Sequence, residues 1–273
     1  MRLIFTDLDG SLLDHNSYSI APAANYLERL ESQGIPVIAI TSKTRTEVLA
    51  FRQTINNQHP FIVENGAAIY IPKGYFEQRP EQAKELGDYW LISNAPPRSQ
   101  WLELLNQVGK PFNNEYQTFS SICADQGIKG LAQLTHLRED QAALAQQREY
   151  SEPINWLGSA DRKANFIQQL TDAGGHLLQG GRFLTLGGNN NKGSALRQLQ
   201  SLYQAEHGNC RSVAVGDSGN DISMLEIADS ALVIRSPSHS MPELKRTNNL
   251  YQSNATGPNG WVEGIAAWLN NHF

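Results

Sequence analysis

The residues most able to do chemistry stand directly behind apolar runs. The first run, "RLIFT", ends in Asp7 and Asp9 with Gly10 behind them. In an extended chain residues i and i+2 point the same way, so both carboxylates are expected on one face. Like charges that close repel each other, and the usual reason to keep them is a cation or a proton in transit. Further on, Thr41-Ser42-Lys43 follows "IPVIAI" and Glu64-Asn65-Gly66 follows "PFIV". "GDSGND" sets Asp217, Asn220 and Asp221 behind "SVAV", and Lys192 opens the amphipathic run "KGSALRQLQSLYQAE". Singly, each has an ordinary explanation. D-x-D-G makes a turn, Thr41, Ser42 and the Asp residues cap helices, and a lysine is solvated.

What joins them is the order of the elements that carry them. "RLIFTD", "IPVIAI", "PFIVEN", "RSVAVGD" and "SALVIR" read as short buried strands. Between them "APAANYLERLESQG" reads as an amphipathic helix stopped by Gly34, and "TRTEVLAFRQTI" as another, capped by Thr44 or Thr46. Strands alternating with helices predict an α/β fold with a parallel sheet covered on both faces. Ligands of such sheets lie outside the carboxyl ends of the strands, and every polar cluster above falls at such an end.

Between the two blocks the strands become less regular, the chain more polar, and Trp90, Trp101 and Trp156 appear. A stretch this long without its own core is unusual, so an inserted domain is expected. The expected division is a core of 1–80 and 188–273 with an insert of 81–187. Trp261 and Trp268 lie two helical turns apart and are expected to pack a final helix on the sheet.

The formal net charge of -5 argues against nucleic acid or an anionic membrane as partner. The 7 histidines form no zinc-type spacing, and Cys123 and Cys210 form no ligand pair. They fit a reducing compartment. With no apolar run of membrane length and no leader-like start, a cytoplasmic location is expected.

"DLDGSLLD", "ITSKT", "NKGSAL" and "GDSGNDISML" together resemble the four ordered motifs of the haloacid dehalogenase (HAD) superfamily of phosphatases. The spacing is similar to members with a large α/β cap after the third strand, so a Rossmann-like core with an inserted α/β cap domain is implied. "QAALAQQREYSEPI", "GGRFLTLGG", "GPNGW" and "ITSKTRTEV" resemble, more narrowly, the mannosyl-3-phosphoglycerate and glucosyl-3-phosphoglycerate phosphatases. Two positions depart from the pattern: Ser11 where threonine is commoner, and Asn191 where an acidic residue precedes the lysine.

The resemblance implies roles. Asp7 is the nucleophile that forms an aspartyl-phosphate, and Asp9 is the general acid and base. Mg2+ is held by Asp7, the main-chain carbonyl of Asp9, and Asp217, with Asn220 and Asp221 behind them. Thr41 and Lys192 meet the phosphoryl group, with Ser42, Lys43 and Arg45 nearby. The implied partner is a phosphorylated glycoside bearing a carboxylate. Arg148 and Arg182 are expected on that carboxylate, since a guanidinium binds one through two parallel hydrogen bonds. Glu149, Tyr150, Ser151 and Glu152 are expected at the sugar. A broader sugar-phosphate phosphatase, a phosphomutase and a silent phospho-ligand sensor remain alternatives at this point.

Overall fold

In the computed structural model, which describes residues 1–179 and 182–273, the first apolar run is β1 (Arg2–Thr6). The two glycines that open "GGRFLTLGG", Gly180 and Gly181, lie outside the described residues. Helix α1 (Ala21–Ser32) follows and buries Ala23, Leu27 and Leu30. Each buried leucine contributes about 2 kcal/mol of transfer free energy. Gly34, at φ +64°, turns the chain out of the helix. Then come β2 (Val37–Ala39) and α2 (Arg45–Thr54). Thr44 is the cap of α2: its Oγ1 accepts from Glu47 N at 3.2 Å, and Glu47 Oε2 accepts from Thr44 N at 2.8 Å.

The chain next forms β3 (Phe61–Val63), β4 (Ala68–Pro72), β5 (Lys84–Leu86) and β6 (Tyr89–Ser93). These pair antiparallel in the order β3-β4-β6-β5. The third strand was expected within the parallel sheet. It meets that sheet through the isolated parallel bridge Ile40–Ile62 rather than as a full ladder strand. The cause is local. Glu64, Asn65 and Gly66 all have positive φ (46°, 58° and 91°), so the chain reverses into β4 instead of crossing over. The boundary expected at 80/81 therefore falls inside this antiparallel sheet, and Trp90 sits in β6.

The following stretch carries α3 (Arg98–Val108), β7 (Tyr116–Thr118), α4 (Phe119–Thr135), α5 (Glu139–Ala145), β8 (Glu152–Trp156), α6 (Ala160–Asp172), β9 (His176–Gln179) and β10 (Leu184–Gly187). Its sheet is antiparallel in the order β7-β8-β10-β9. It has a core of its own in which Trp101, Phe112, Ile154, Phe166 and Leu186 are buried.

The last stretch gives α7 (Lys192–His207), β11 (Arg211–Gly216), α8 (Ile222–Ile227), β12 (Ser230–Arg235), β13 (Leu250–Thr256) and α9 (Gly257–Leu269). The parallel sheet has the order β13-β12-β11-β1-β2. Trp261 and Trp268 of α9 are buried, and Trp261 Nε1 donates to Thr6 Oγ1 at 2.9 Å, pinning the end of β1. Contacts divide the chain into two units. One comprises Met1–Ser42, Phe51–Asn94 and Asn191–Phe273, the other Lys43–Ala50 and Ala95–Asn190.

Candidate active site

Strands β1 and β11 run parallel side by side, with Thr6 opposite Val215. Asp7 and Asp217 each follow directly, and Asp7 N donates to Val215 O at 2.8 Å. The chain leaves the strand after Thr6, so strict alternation does not place Asp9. A tight turn does: Leu8 O accepts from Ser11 N and Leu13 N, and Gly10 at φ +79° completes the turn. A Cβ on Gly10 would lie 2.5 Å from Asp217 Oδ2, so glycine is what lets the two rims approach. Asp9 is half-buried, and its charge helps raise the pKa of Asp7.

Lys192 enters from α7. Its side chain is fully buried, and Nζ donates to Asp7 Oδ1 and Asp221 Oδ1, both at 2.6 Å. Asn191 is the N-cap of α7, its Oδ1 accepting from Ser194 N at 2.9 Å. Asparagine caps as well as aspartate. The acidic residue expected at 191 is therefore not needed to start the helix, and Lys192 is held by Asp7 and Asp221 instead.

Asp221 is saturated from within. Oδ1 takes Lys192, while Oδ2 accepts from Asp217 N at 3.0 Å and Ser218 N at 3.1 Å. It orients its neighbours and keeps little for a further ligand. Asn220 Nδ2 donates to Asn65 Oδ1 at 3.0 Å, which ties this loop to the turn after β3. Thr41 is buried behind β2. Its N–H donates to Ile62 O at 3.1 Å, and its carbonyl accepts from Asn65 N at 2.9 Å.

The electrostatics are those of a site short of positive charge. Burial, reinforced by Asp221, Asp217 and Asp9 and opposed by Lys192, pushes the Asp7 carboxyl well above the usual range. Burial and Asp221 push Asp217 up to about 6, against His239, Lys192 and Ser218. Burial alone would lower the Lys192 ammonium, but Asp221 and Asp7 hold it above its ordinary value. Asp7, Asp217 and Asp221 bring carboxylate oxygens within 4.8 Å of one another. One ammonium among them leaves a deficit that a divalent cation on oxygen ligands would fill, so Asp7 and Asp217 fit such an ion, with Asp221 behind them.

Of two further residues beside this centre, Asn65 belongs to the polar cluster expected after the third strand, and His239 gave no signal in the sequence. His239, in the loop after β12, places Nε2 at 3.3 Å from Asp217 Oδ2. Asn65 is held left-handed, and only its Asn-Gly pairing with Gly66 hinted at that.

The second unit holds the other expected residues. Arg148 is half-buried, and its Nη1 donates to Ser151 Oγ at 3.1 Å. Arg45 and Glu149 form an ion pair at 2.9 Å, and Lys43 lies 3.6 Å from Glu47. Tyr150 is buried, its carbonyl accepting from Trp101 Nε1 at 2.9 Å. Two of the expected residues are engaged within the unit. Glu152 has no exposed surface. Its oxygens accept from Arg98 Nε at 2.5 Å, Ser120 N at 2.9 Å and Ser120 Oγ at 3.0 Å, so it serves as an internal anchor. Arg182 donates to Leu134 O at 3.2 Å and Thr135 O at 2.6 Å, the last carbonyls of α4.

Comparison with known proteins agrees with this geometry. Residues 4–90 match the family of haloacid dehalogenase-like hydrolases, and residues 176–269 match that of sucrose-6F-phosphate phosphohydrolase. The glucosyl-3-phosphoglycerate/mannosyl-3-phosphoglycerate phosphatase of Methanococcoides burtonii is 32% identical over 264 residues, 97% of this chain and 96% of that protein. The phosphatase of the same description from Persephonella marina is also 32% identical, over 98% of this chain and 97% of its own. Among solved structures, the sucrose-phosphatase of Synechocystis superposes with a TM-score of 0.62 at 15% identity, covering 98% of both chains. That likeness is one of fold.

Proposed function

We propose that this chain, which belongs to the haloacid dehalogenase-like hydrolases and among them to the glucosyl-3-phosphoglycerate/mannosyl-3-phosphoglycerate phosphatases, hydrolyses the phosphomonoester of a glycosyl-3-phosphoglycerate. That it is a phosphatase rests on the family. The observation that carries the substrate is the reach of the likeness, 97% and 98% of the chain. It runs through the inserted unit, which is where phosphatases sharing one catalytic core would differ in substrate. A match of residues 176–269 to sucrose-6F-phosphate phosphohydrolase favours a second reading, a broader sugar-phosphate phosphatase.

The carboxylate of Asp7 attacks phosphorus while the ester P–O bond breaks, giving an aspartyl-phosphate and a free hydroxyl on the glycerate. Asp9 delivers the proton to the leaving oxygen, then takes one from the water that releases phosphate from Asp7. Lys192 sets its ammonium against charge on the transferring group, and Thr41 donates a hydrogen bond to it. Asp221 holds both Lys192 and the main chain of Asp217 in place. Asp7, the Asp9 carbonyl and Asp217 would hold Mg2+, which when bound supplies neutralising charge beside the phosphoryl oxygens. In the second unit Arg148 is assigned to the glycerate carboxylate, and Glu149, Tyr150 and Ser151 to the sugar. Ser42 and Lys43 are assigned to the phosphate end.

Acid quenching during turnover tests the mechanism. A phosphoryl adduct is expected on the peptide containing Asp7, and Asp7→Asn is expected to abolish it and to lower kcat by at least about 1,000-fold. Turnover that survives in Asp7→Asn would contradict the assignment.

A further inference from the structure

We propose that Asn65 is a positioning residue for phosphoryl transfer: its side-chain bond to Asn220 sets the loop of Asp217 and Asp221 against the loop of Thr41. The inference rests on the reading above that Thr41 and these carboxylates serve the phosphoryl group. It comes from one residue that reaches two loops which the sheet does not join. Strand β1 lies between β11 and β2, and β3 lies beyond β2, meeting it at the Ile40–Ile62 bridge. Three inter-strand spacings, about 14 Å, therefore separate the strand before Asn65 from the strand before Asp217. Pairing within the sheet fixes neighbouring strands and leaves loops this far apart to be set by side chains.

Asn65 closes that gap. Its N–H donates to Thr41 O at 2.9 Å, and its Oδ1 accepts from Asn220 Nδ2 at 3.0 Å. Ser218 turns Asn220 toward it, donating from Oγ to Asn220 Oδ1 at 2.6 Å. Ser218 N and Asp217 N both donate to Asp221 Oδ2, and Asp221 Oδ1 holds Lys192. The bond at Asn65 thus reaches Asp217 along the chain and Lys192 through Asp221. The next residue, Gly66, packs on the carbonyl of Asn191, directly before Lys192.

The residue type fits this use. At φ 58° and ψ 39° the backbone is left-handed, which glycine, asparagine and aspartate tolerate best. Glycine has no side chain to reach Asn220. Aspartate would add negative charge beside a group of three buried carboxylates. Of these types, only asparagine meets both needs. Asn65 is itself buried, so water competes little for the bond.

Asn65→Gly is the cleanest test, since it keeps the left-handed turn and removes the side-chain bond. The substrate is mannosyl-3-phosphoglycerate with Mg2+, or p-nitrophenyl phosphate should the first not be hydrolysed. In a variant shown by urea denaturation to be folded, kcat is expected to fall at least about tenfold and KM to change less than about threefold. Asn220→Ala removes the other half of the bond, and the double variant is expected to lose no more than about threefold beyond it. Unchanged kcat in folded Asn65→Gly would overturn the proposal, as would a change confined to KM. So would losses that multiply in the double variant, since Asn65 and Asn220 would then act apart. Should Asn65→Gly not fold, Asn220→Ala is held to the same two thresholds. If the protein of natural sequence hydrolyses neither ester, the reading of function falls and the proposal with it. Natural turnover with an indifferent Asn65→Gly removes the proposal alone.

Discussion

Lys192 shows how one side chain can link stability to chemistry. A fully buried ammonium is costly unless paired, and Asp7 and Asp221 meet it at 2.6 Å each. Those contacts also keep the Asp7 carboxylate oriented toward its proposed task. Glu152 is the contrasting case. Its place at the sugar was implied by the family resemblance around "REYSEP", whose residues alone read as a solvated helix end. Nothing local reveals that Arg98, more than fifty residues earlier, closes on it inside the second unit. Replacing Glu152 by alanine leaves the Arg98 guanidinium, 14% exposed, without its carboxylate. Stability read by urea denaturation is expected to fall by about 3 kcal/mol. Unchanged stability with weakened substrate binding would return Glu152 to the sugar. His239 was invisible for a similar reason: a single histidine in a polar loop carries no spacing to betray its partner.

At the scale of elements, the parallel strands and the helices between them were legible because they alternate and are strongly periodic. The turn after β3 was not. An apolar run such as "PFIV" says buried strand but not which neighbour it pairs with. The pairing is decided by three successive positive φ angles at Glu64, Asn65 and Gly66. Gly66 has a second duty. A Cβ there would come within 2.3 Å of Asn191 O, at the start of α7, and its φ of 91° disfavours any side chain. Gly66→Ala is therefore expected to cost at least about 2 kcal/mol. Because the clash displaces the residue before Lys192, kcat should fall as well. A variant with natural stability in urea and natural kcat would contradict this account of the turn. Asn191, the departure from the family's pattern, proves to be an ordinary cap, which the helix-start pattern around "NNKGS" already allowed.

On the scale of the whole molecule, the unit that carries the proposed catalytic residues is also joined by a polar chain that runs inward from the exposed Glu31. Glu31 Oε2 of α1 accepts from His59 Nε2 at 2.8 Å, His59 Nδ1 meets Tyr75 OH at 2.7 Å, and Tyr75 OH meets Tyr203 OH of α7 at 2.8 Å. Burial lowers the His59 pKa below its ordinary 6.5, against Glu31 and with Arg52. The folded state thus binds fewer protons than the unfolded state just below that value, and stability drops as pH falls through it. The urea midpoint should fall between about pH 7.5 and about pH 5.5, and fall less in His59→Gln. Equal slopes in the two proteins would remove His59 from the pH response. No described helix is long and apolar enough to cross a membrane.

The central claim, that a family phosphatase with this carboxylate–lysine centre acts on a glycosyl-3-phosphoglycerate, is tested most directly by phosphate release. The panel is mannosyl-3-phosphoglycerate, glucosyl-3-phosphoglycerate, sucrose 6-phosphate, hexose phosphates and 3-phosphoglycerate, each with Mg2+. The account predicts kcat/KM at least about tenfold higher for one or both glycosyl-phosphoglycerates than for any other compound. Equal or faster release from sucrose 6-phosphate or the hexose phosphates would contradict it.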